Sequence, residues 1–265
     1  MIHKGILHNI PIISENMIFI IISIISSTLA PQFYKVEIDT IESCRNCVYS
    51  SPLFEGLSDE ELNYLAGFAS NAAFKKGDTI YLQGDEIHFI SFLKKGLIKV
   101  FKKGDVGKDQ IISIAKPNDC VGLLSVFSNK HHQYSTSALE DSVLYYIELS
   151  RLKYILRNNG AFGIRLLGRI SIAADTIINN VYNINRKNLR GRIAYILIEF
   201  ADEIYLKDQF ELPVSRREIG ELIGMTTENV IRIFSEFRHD GIIAMHCKTI
   251  TILNKQMLHS LEKFG

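Results

Sequence analysis

Glycine-centred turns punctuate the middle of this chain and constrain its fold more than any other feature of the sequence. They separate short runs rich in Ile, Val, Phe and Tyr, at residues 79–82, 88–93, 97–101 and 110–114. Turns about 8 to 12 residues apart are typical of an antiparallel sandwich or jelly roll, because glycine freely supplies the positive φ that such turns need. Residues 44–150 are therefore predicted to form an antiparallel β-roll that closes with a strand at 143–147.

The entrance of this domain is predicted to be helical. Ser58 can cap a helix, and Glu61 stands three residues later, where it completes a capping box. The apolar residues that follow recur at helical spacing as far as Ala69. A short helix therefore precedes the first predicted strand.

Beyond Arg151 the apolar pattern becomes helical, and residues 151–187 are predicted to form one long helix. Its apolar residues recur at alternating steps of three and four, which is the seam of a two-stranded coiled coil. The predicted seam consists of Leu167, Ile170, Ala174, Ile177, Val181 and Ile184. The polar residues beside it favour a homodimer through this helix over the alternative, in which the stripe packs on the β-roll.

The last part of the chain, residues 188–265, has the pattern of a winged helix-turn-helix. Ser215 caps one short helix, which Gly224 ends, and Thr226 caps a second helix that runs to Arg238. An alternating stretch at 246–253 is predicted to form the wing hairpin. In this motif the second helix enters the major groove of DNA. The fold class is therefore α+β: a β-roll sensor domain, a dimerisation helix and a winged helix-turn-helix domain.

The second helix presents side chains that can read bases. Arginine can bond guanine at O6 and N7, and glutamate can accept from cytosine N4. The candidate base-reading residues are Thr227, Glu228, Asn229, Ile231 and Arg232. The candidate phosphate contacts are Ser215, Arg216, Thr226, His246 and Lys248. Because Glu228 and Arg232 are four residues apart, the alternative is an ordinary surface pair on the helix.

The composition describes a globular chain without an overall attraction to nucleic acid. The 265 residues carry a formal net charge of +1 and are 47% hydrophobic, which excludes disorder as the overall state. The four cysteines are too few and too scattered for a disulfide scaffold. The sequence contains no Walker loop, GxSxG or HExxH motif, so no enzymatic activity is predicted. Any DNA affinity must come from local patches.

Residues 1–40 stand apart from this organisation. The stretch 17–25 is apolar except for Ser23 and is too short for a confident spanning helix. It has the character of a signal-peptide core, followed by small residues as far as Ala30. One interpretation is a mis-assigned start codon with translation beginning near Val36; the other is an exported or membrane-anchored ligand-binding protein. A helix-turn-helix favours the first interpretation and a cytoplasmic protein.

The order of these parts resembles the CRP/FNR family of bacterial transcription regulators. The motifs that carry the resemblance lie at 76–78, 83–85, 92–96, 191–194, 217–220, 227–232 and 246–250. The resemblance implies a homodimer on a palindromic DNA site, with Glu228 and Arg232 reading a TGA-like half-site core. It also implies contact with RNA polymerase. The family's third base-reading position is occupied here by Ile231, so the outer half-site preference is open.

The resemblance also identifies the place of an effector pocket. Its residues in this sequence are Gly122, Leu123, Leu124, Tyr134 and Ser135. Cyclic-nucleotide-binding members have an acidic residue where Leu123 stands and an arginine where Tyr134 stands. A cyclic phosphate would lose its charge-assisted partner here. Binding of cyclic AMP is therefore not expected, and the small-molecule or redox effector is unknown.

Cys44 and Cys47 resemble the start of the cluster motif in the family's oxygen-sensing branch. An iron–sulfur cluster normally needs four thiolates. The third ligand position falls on Leu53 and the fourth on Tyr145, so a four-cysteine cluster is not expected. Cys44 and Cys47 could instead form a redox pair or half of a metal site, or have no function. His131 and His132 are either metal or haem ligands or ordinary loop residues.

Overall fold

The computed structural model describes residues 48–49, 51–104 and 109–265. The N-terminal region and both Cys44 and Cys47 lie outside these residues. The helices are α1 (Asp59–Ala66), α2 (Leu123–Val126), α3 (Leu149–Asn158), α4 (Gly160–Asn185), α5 (Leu189–Ile198), α6 (Arg216–Ile223), α7 (Thr227–His239) and α8 (Lys255–Phe264). A π-helical segment, Glu199–Ile204, follows α5.

The strands form three antiparallel sheets. They are β1 (Ala69–Phe74), β2 (Thr79–Tyr81), β3 (Phe89–Lys95), β4 (Ile98–Lys102), β5 (Gln110–Ala115), β6 (Cys120–Val121), β7 (Ser135–Ala138), β8 (Ser142–Glu148), β9 (Gln209–Glu211), β10 (Ile243–His246) and β11 (Thr249–Ile252). The sheet orders are β1-β8-β3-β6, β2-β7-β4-β5 and β10-β11-β9. The first two sheets make the predicted β-roll, and the third makes the wing.

Both faces of the sheet β1-β8-β3-β6 pack against other elements. Successive side chains along a strand point to opposite faces, so each central strand contributes to two cores. Leu144 and Tyr146 of β8 point into the core between the two roll sheets. Tyr145 and Ile147 of the same strand point the other way, into a second core with α1, α3 and α4. That second core fixes the helices on one side of the roll.

The entrance helix ends earlier than its spacing predicted. The Ser58–Glu61 capping box is formed, and Glu61 Oε2 accepts from the Ser58 amide at 2.9 Å. The helix stops at Ala66, however, and Ala69 begins strand β1, which pairs with β8. Pairing across the sheet outweighs the local helical pattern here, so the prediction of helical spacing through Ala69 was wrong.

The predicted long helix at 151–187 is two helices. The helix is interrupted at Asn159, whose Oδ1 caps α4 by accepting from the Phe162 amide at 2.9 Å. Its Nδ2 donates to Glu61 Oε1 at 2.9 Å and ties the break to α1. Helix α3 therefore packs as a separate short helix on the roll, and α4 alone is the long one.

The apolar residues of α4 divide between two cores of the protomer and the exposed surface. Ile170 packs against the core beneath the roll, and Ile184 packs against the core of the DNA-binding domain. The exposed large apolar residues of α4 lie elsewhere on the helix surface and are Ile164, Leu167, Ile172, Ile178, Val181 and Tyr182. Of the predicted seam, Leu167 and Val181 are therefore exposed, whereas Ile170 and Ile184 turn toward the protomer's own cores.

The C-terminal part is a winged helix-turn-helix with one element that the sequence pattern missed. The predicted wing is followed by helix α8, which Asn254 caps by accepting from the Met257 amide. Helix α8 packs on α5 through Leu258, which is buried in the domain core. Among the residues that the structure describes, no helix is both long enough and apolar enough to cross a membrane.

Candidate nucleic-acid interface and effector pocket

The turn between α6 and α7 is held by backbone geometry that needs glycine. Gly224 adopts φ +66° and ends α6 in a left-handed conformation. A Cβ on Gly220 would lie 2.5 Å from the carbonyl oxygen of Met225, so α6 could not approach the turn with any larger residue there. The predicted helix-turn-helix therefore has its two helices closely packed.

Both helices have the N-terminal caps that the sequence predicted. The Ser215 hydroxyl accepts from the Glu218 amide at 3.2 Å, and Glu218 Oε2 accepts from the Ser215 amide at 2.8 Å. The Thr226 hydroxyl accepts from the Asn229 amide at 3.3 Å. The buried face of α7 consists of Val230, Ile233, Phe234 and Phe237. Capping and burial together fix which face of α7 points outward.

The outward face of α7 carries the candidate base-reading residues. Glu228, Ile231 and Arg232 are exposed, and Thr227 and Asn229 are half-buried near the cap. The guanidinium of Arg232 pairs with the Glu236 carboxylate and donates to Asn229 Oδ1 at 3.3 Å. Arg232 therefore has an ion-pair partner four residues later on the same helix, Glu236.

Sequence reasoning missed a residue that positions this arginine. Arg190 of α5 pairs with Glu236 at 2.8 Å and with Asp240 at 2.8 Å. The hydrogen bond to Asp240, together with that to Glu236, raises the pKa of Arg190. Glu236 is therefore shared between Arg190 and Arg232, which ties the reading face to α5. The i,i+4 spacing of Arg232 and Glu236 indicates that pair in the sequence, whereas no local pattern indicates Arg190.

The candidate phosphate contacts surround α7. Ser215, Thr226, His246 and Lys248 are exposed, and the last two flank the tip of the wing. Arg216 differs, because its Cζ lies 3.9 Å from the centroid of the Phe234 ring and its Nη2 lies 3.7 Å from Met245 Sδ. Burial lowers the pKa of this guanidinium. Arg216 is therefore braced between the recognition helix and the wing.

The effector-pocket residues serve the packing of the roll. Gly122 has φ +78° and leads into α2. Leu123 is 8% exposed and lies in the core beneath the roll, in the same cluster as Phe92 and Phe162. The Ser135 hydroxyl accepts from the Gln83 amide at 2.9 Å. Leu124 and Tyr134 are half-buried. The position at which cyclic-nucleotide-binding members have an acidic residue is thus occupied here by a leucine of the core.

The neighbouring histidines have different environments. His131 is exposed, whereas His132 is 5% exposed and stacks on Tyr81 with ring centroids 4.3 Å apart. Burial lowers the pKa of His132, and the Asp85 charge opposes this shift. Within the part of the chain that the structure describes, no three His, Cys, Asp or Glu side chains gather as a metal site.

The roll and the helix-turn-helix touch directly. Lys99 of β4 pairs with Glu218 of α6 at 2.6 Å, with both side chains about one-fifth exposed. Gln110 donates to the Glu221 carbonyl at 2.7 Å. Burial alone would raise the pKa of Glu218, but the hydrogen bonds from Lys99 and Ser215 outweigh it and lower the pKa. The sensor sheet therefore contacts the helix whose cap is a candidate phosphate contact.

The comparisons with known proteins agree with this architecture. The cyclic nucleotide-binding domain family matches residues 72–159, and the Crp-like helix-turn-helix domain family matches residues 191–261. The transcriptional activator protein FnrA of Stutzerimonas stutzeri is 27% identical over 228 residues, which cover 83% of this chain and 92% of that protein. The fumarate and nitrate reduction regulatory protein of Escherichia coli is 28% identical over 228 residues, covering 82% and 89%.

Solved structures show the same fold. FixK2 from Bradyrhizobium japonicum superposes with a TM-score of 0.67 at 24% identity, covering 73% of this chain and 97% of that one. The fold and the helix-turn-helix define a DNA-binding transcription regulator with a cyclic-nucleotide-binding-type sensor domain. The chain belongs to the CRP/FNR family, which confirms the predicted family, fold class and regulatory function.

Proposed function

We propose that this regulator acts in the cytoplasm as a homodimer on a palindromic DNA site whose half-sites contain a TGA-like core. The observation that carries the proposal is the exposed face of α7, which presents Glu228 and Arg232 from a capped helix. Arginine to guanine and glutamate to cytosine are the pairings that such a core requires. Contact with RNA polymerase is part of the same proposal and follows from the family.

The dimer is proposed to form through the exposed apolar stripe of α4. Leu167, Ile178 and Val181 are 63%, 64% and 52% exposed on the protomer, and large apolar patches of this kind mark interaction sites. A two-fold dimer would place two recognition helices about one helical turn of DNA apart, about 34 Å. Of the six residues of the predicted seam, Leu167, Ala174 and Val181 would lie in this interface.

We test DNA reading by selecting bound sequences from random DNA with the purified protein, with and without reductant. The expected result is enrichment of an inverted repeat, with affinity that falls steeply as salt rises. Enrichment of no sequence would contradict the proposal. A half-site that changes with reductant would implicate the cysteines, and a Cys44→Ser variant would then identify the thiol.

We test the dimer by sedimentation of Ile178→Glu beside Asn179→Glu, a matched change one residue away on the polar side of the helix. Ile178→Glu is expected to give monomers with weakened DNA binding, because it places a charge in the exposed apolar stripe through which the dimer is proposed to form. Asn179→Glu is expected to stay dimeric. A dimeric Ile178→Glu variant would contradict this placement of the interface.

The effector is proposed not to be a cyclic nucleotide. Leu123 is buried in the core, so a phosphate at this loop would meet a leucine where it needs a charged or hydrogen-bonding partner. Calorimetric titration of the full chain with cyclic AMP and cyclic GMP tests this. No saturable heat is expected for either, and binding of either in the micromolar range would contradict the proposal.

A further inference from the structure

Helix α7 carries an exposed large apolar side chain on its reading face. Ile231 is 51% exposed, whereas the other large apolar residues of α7 are at most 3% exposed. A single exposed apolar residue is ordinary on a protein surface. What distinguishes Ile231 is its position, because it adjoins Arg232 and lies one turn beyond Glu228 on the face that points outward.

The helix geometry places Ile231 within reach of a base edge. Residues three apart are neighbours on one helix face, and their separation along the axis is about 4.5 Å. This distance is close to the rise of one base pair in DNA, about 3.4 Å. With α7 in the major groove, a base pair next to those that Glu228 and Arg232 would address is therefore within reach of Ile231.

The side chain of Ile231 is itself rigid and apolar, whereas polar and apolar residues both line the cleft beside it. A β-branched side chain has essentially one χ1 rotamer in a helix. The hydroxyl of Ser235, one turn along, donates to the Ile231 carbonyl at 3.1 Å and so is engaged within the helix. A cleft of about 100 Å³ on this side is lined by Arg216, Ile231, Phe234, Ser235, Arg238 and Met245.

Among the base edges of the major groove, the C5-methyl group of thymine is the apolar feature. Isoleucine has no side-chain donor or acceptor, so it would desolvate the polar edge of another base without replacing its hydrogen bonds. We propose that Ile231 selects thymine at the base pair next to the Glu228–Arg232 core, by contact with the 5-methyl group. This inference rests on the DNA-reading function proposed above.

The test replaces thymine with deoxyuridine in the selected site. Deoxyuridine keeps base pairing and every hydrogen-bonding atom of thymine and lacks the methyl group. One position per half-site is expected to lose about four-fold in affinity on this change, which is the worth of roughly one buried methyl group. Changing both half-sites together is expected to cost about 15-fold, since the two contacts are distant and add.

Variants of the protein test whether Ile231 is the residue that senses the thymine methyl group. Ile231→Ser is expected to bind thymine and deoxyuridine sites equally at that position, whereas Ile231→Val keeps the preference. Met257→Ser removes a comparably exposed apolar residue from α8 and serves as the control. This variant is also expected to retain the preference for thymine over deoxyuridine. Because Ile231 is exposed, Ile231→Ser is expected to fold, and an unchanged circular dichroism melt checks this.

The outcomes separate the two proposals. If random DNA yields no preferred sequence, the proposed function fails and the role of Ile231 fails with it. If a site is selected but no thymine responds to loss of its methyl group, the role of Ile231 is overturned while the function stands. A thymine preference that persists in Ile231→Ser would overturn it equally.

Discussion

The recognition face is predicted from the residues of the second helix and the effector pocket from family resemblance, and the structure places the side chains of the two regions in opposite ways. On the recognition face, Glu228, Ile231 and Arg232 project outward from a helix whose buried residues hold it in place. In the pocket, Leu123 and Ser135 are buried and serve the packing and hydrogen bonding of the roll.

This difference distinguishes an accessible polar surface from a pocket whose residues belong to the core. A site that binds a polar partner keeps its polar groups accessible and bears a stability cost for doing so. A site without that demand is taken over by core packing, because burying a leucine stabilises the fold by about 1.5–3 kcal/mol. Substitutions on the recognition face should therefore change DNA binding, and substitutions in the pocket should change stability.

Arg232→Ala should have the largest effect. Loss of a bidentate arginine–guanine contact costs about 1–3 kcal/mol per half-site, and a dimer has two half-sites. The expected result is a large loss of affinity for the selected site and a small loss for random DNA, measured by fluorescence anisotropy at fixed salt. Arg157→Ala, which removes an exposed arginine from α3, is the control. Equal weakening on both DNAs would assign Arg232 to phosphate contact.

Leu123→Ala should have the next largest effect, and on stability. Truncating a leucine that is 8% exposed in a packed core costs about 2–5 kcal/mol. Urea unfolding measures the loss, and the affinity of the folded protein for DNA should be unchanged. Leu124→Ala, at the half-buried neighbouring position, should cost clearly less. A Leu123→Ala protein of wild-type stability would mean that this loop is not part of the core.

Lys99→Met probes the contact that joins the two regions. It leaves the half-buried Glu218 carboxylate without its partner at 2.6 Å, which is expected to cost about 1–2 kcal/mol. Because the pKa of Glu218 is lowered in the folded protein, this stabilisation is present at neutral pH and is lost as pH falls through the acidic range. The difference in urea midpoint between wild type and variant should therefore shrink on acidification.

Lys102→Met is the matched control for this ion pair, since Lys102 is exposed on the same strand. It should leave the midpoint unchanged at every pH. A difference between wild type and Lys99→Met that stays constant down to pH 3 would show that Lys99 contributes packing rather than charge.

The sequence predicted local features of both regions better than long-range ones. The caps at Ser58, Ser215 and Thr226 were correct, because a capping residue and its partner are three residues apart. The break at Asn159 was missed because it depends partly on Glu61, which is distant in sequence. The two-way facing of the α4 stripe was missed for the same reason, since Ile170 and Ile184 pack on cores built elsewhere in the chain.

The contact between roll and helix-turn-helix illustrates the same limit. Leu97 and Leu139 belong to the roll by sequence, yet they are buried in the core of the DNA-binding domain. No periodicity in the sequence distinguishes a leucine that faces its own sheet from one that faces a neighbouring domain. The position of the candidate DNA residues in a helix-turn-helix was predictable because this motif is local, whereas the contacts that Arg190 and Lys99 make with it from other elements were not.

His132 gives the smallest expected effect, and it lies beside the pocket, where a Cβ on Gly122 would be 3.6 Å from its Nδ1. Because burial lowers the pKa of His132 in the folded protein, the unfolded chain takes up a proton first as pH falls. The folded protein therefore has its full stability at pH values above the ordinary pKa of histidine, where the imidazole is neutral in both states. Its free energy of unfolding decreases as the pH falls below that pKa. His132→Phe keeps a ring on Tyr81, 4.3 Å away in the wild type, but cannot titrate.

The measurement is the urea midpoint of wild type and His132→Phe between pH 7.5 and 5. The wild type should lose stability more steeply than the variant, and His132→Gln, which also lacks a titrating ring, should show the shallower slope. Parallel slopes for all three proteins would mean that His132 takes up its proton equally in the folded and unfolded states. DNA affinity at pH 7.5 should be the same for each, because the buried ring is part of the packing of the roll and not of the recognition face.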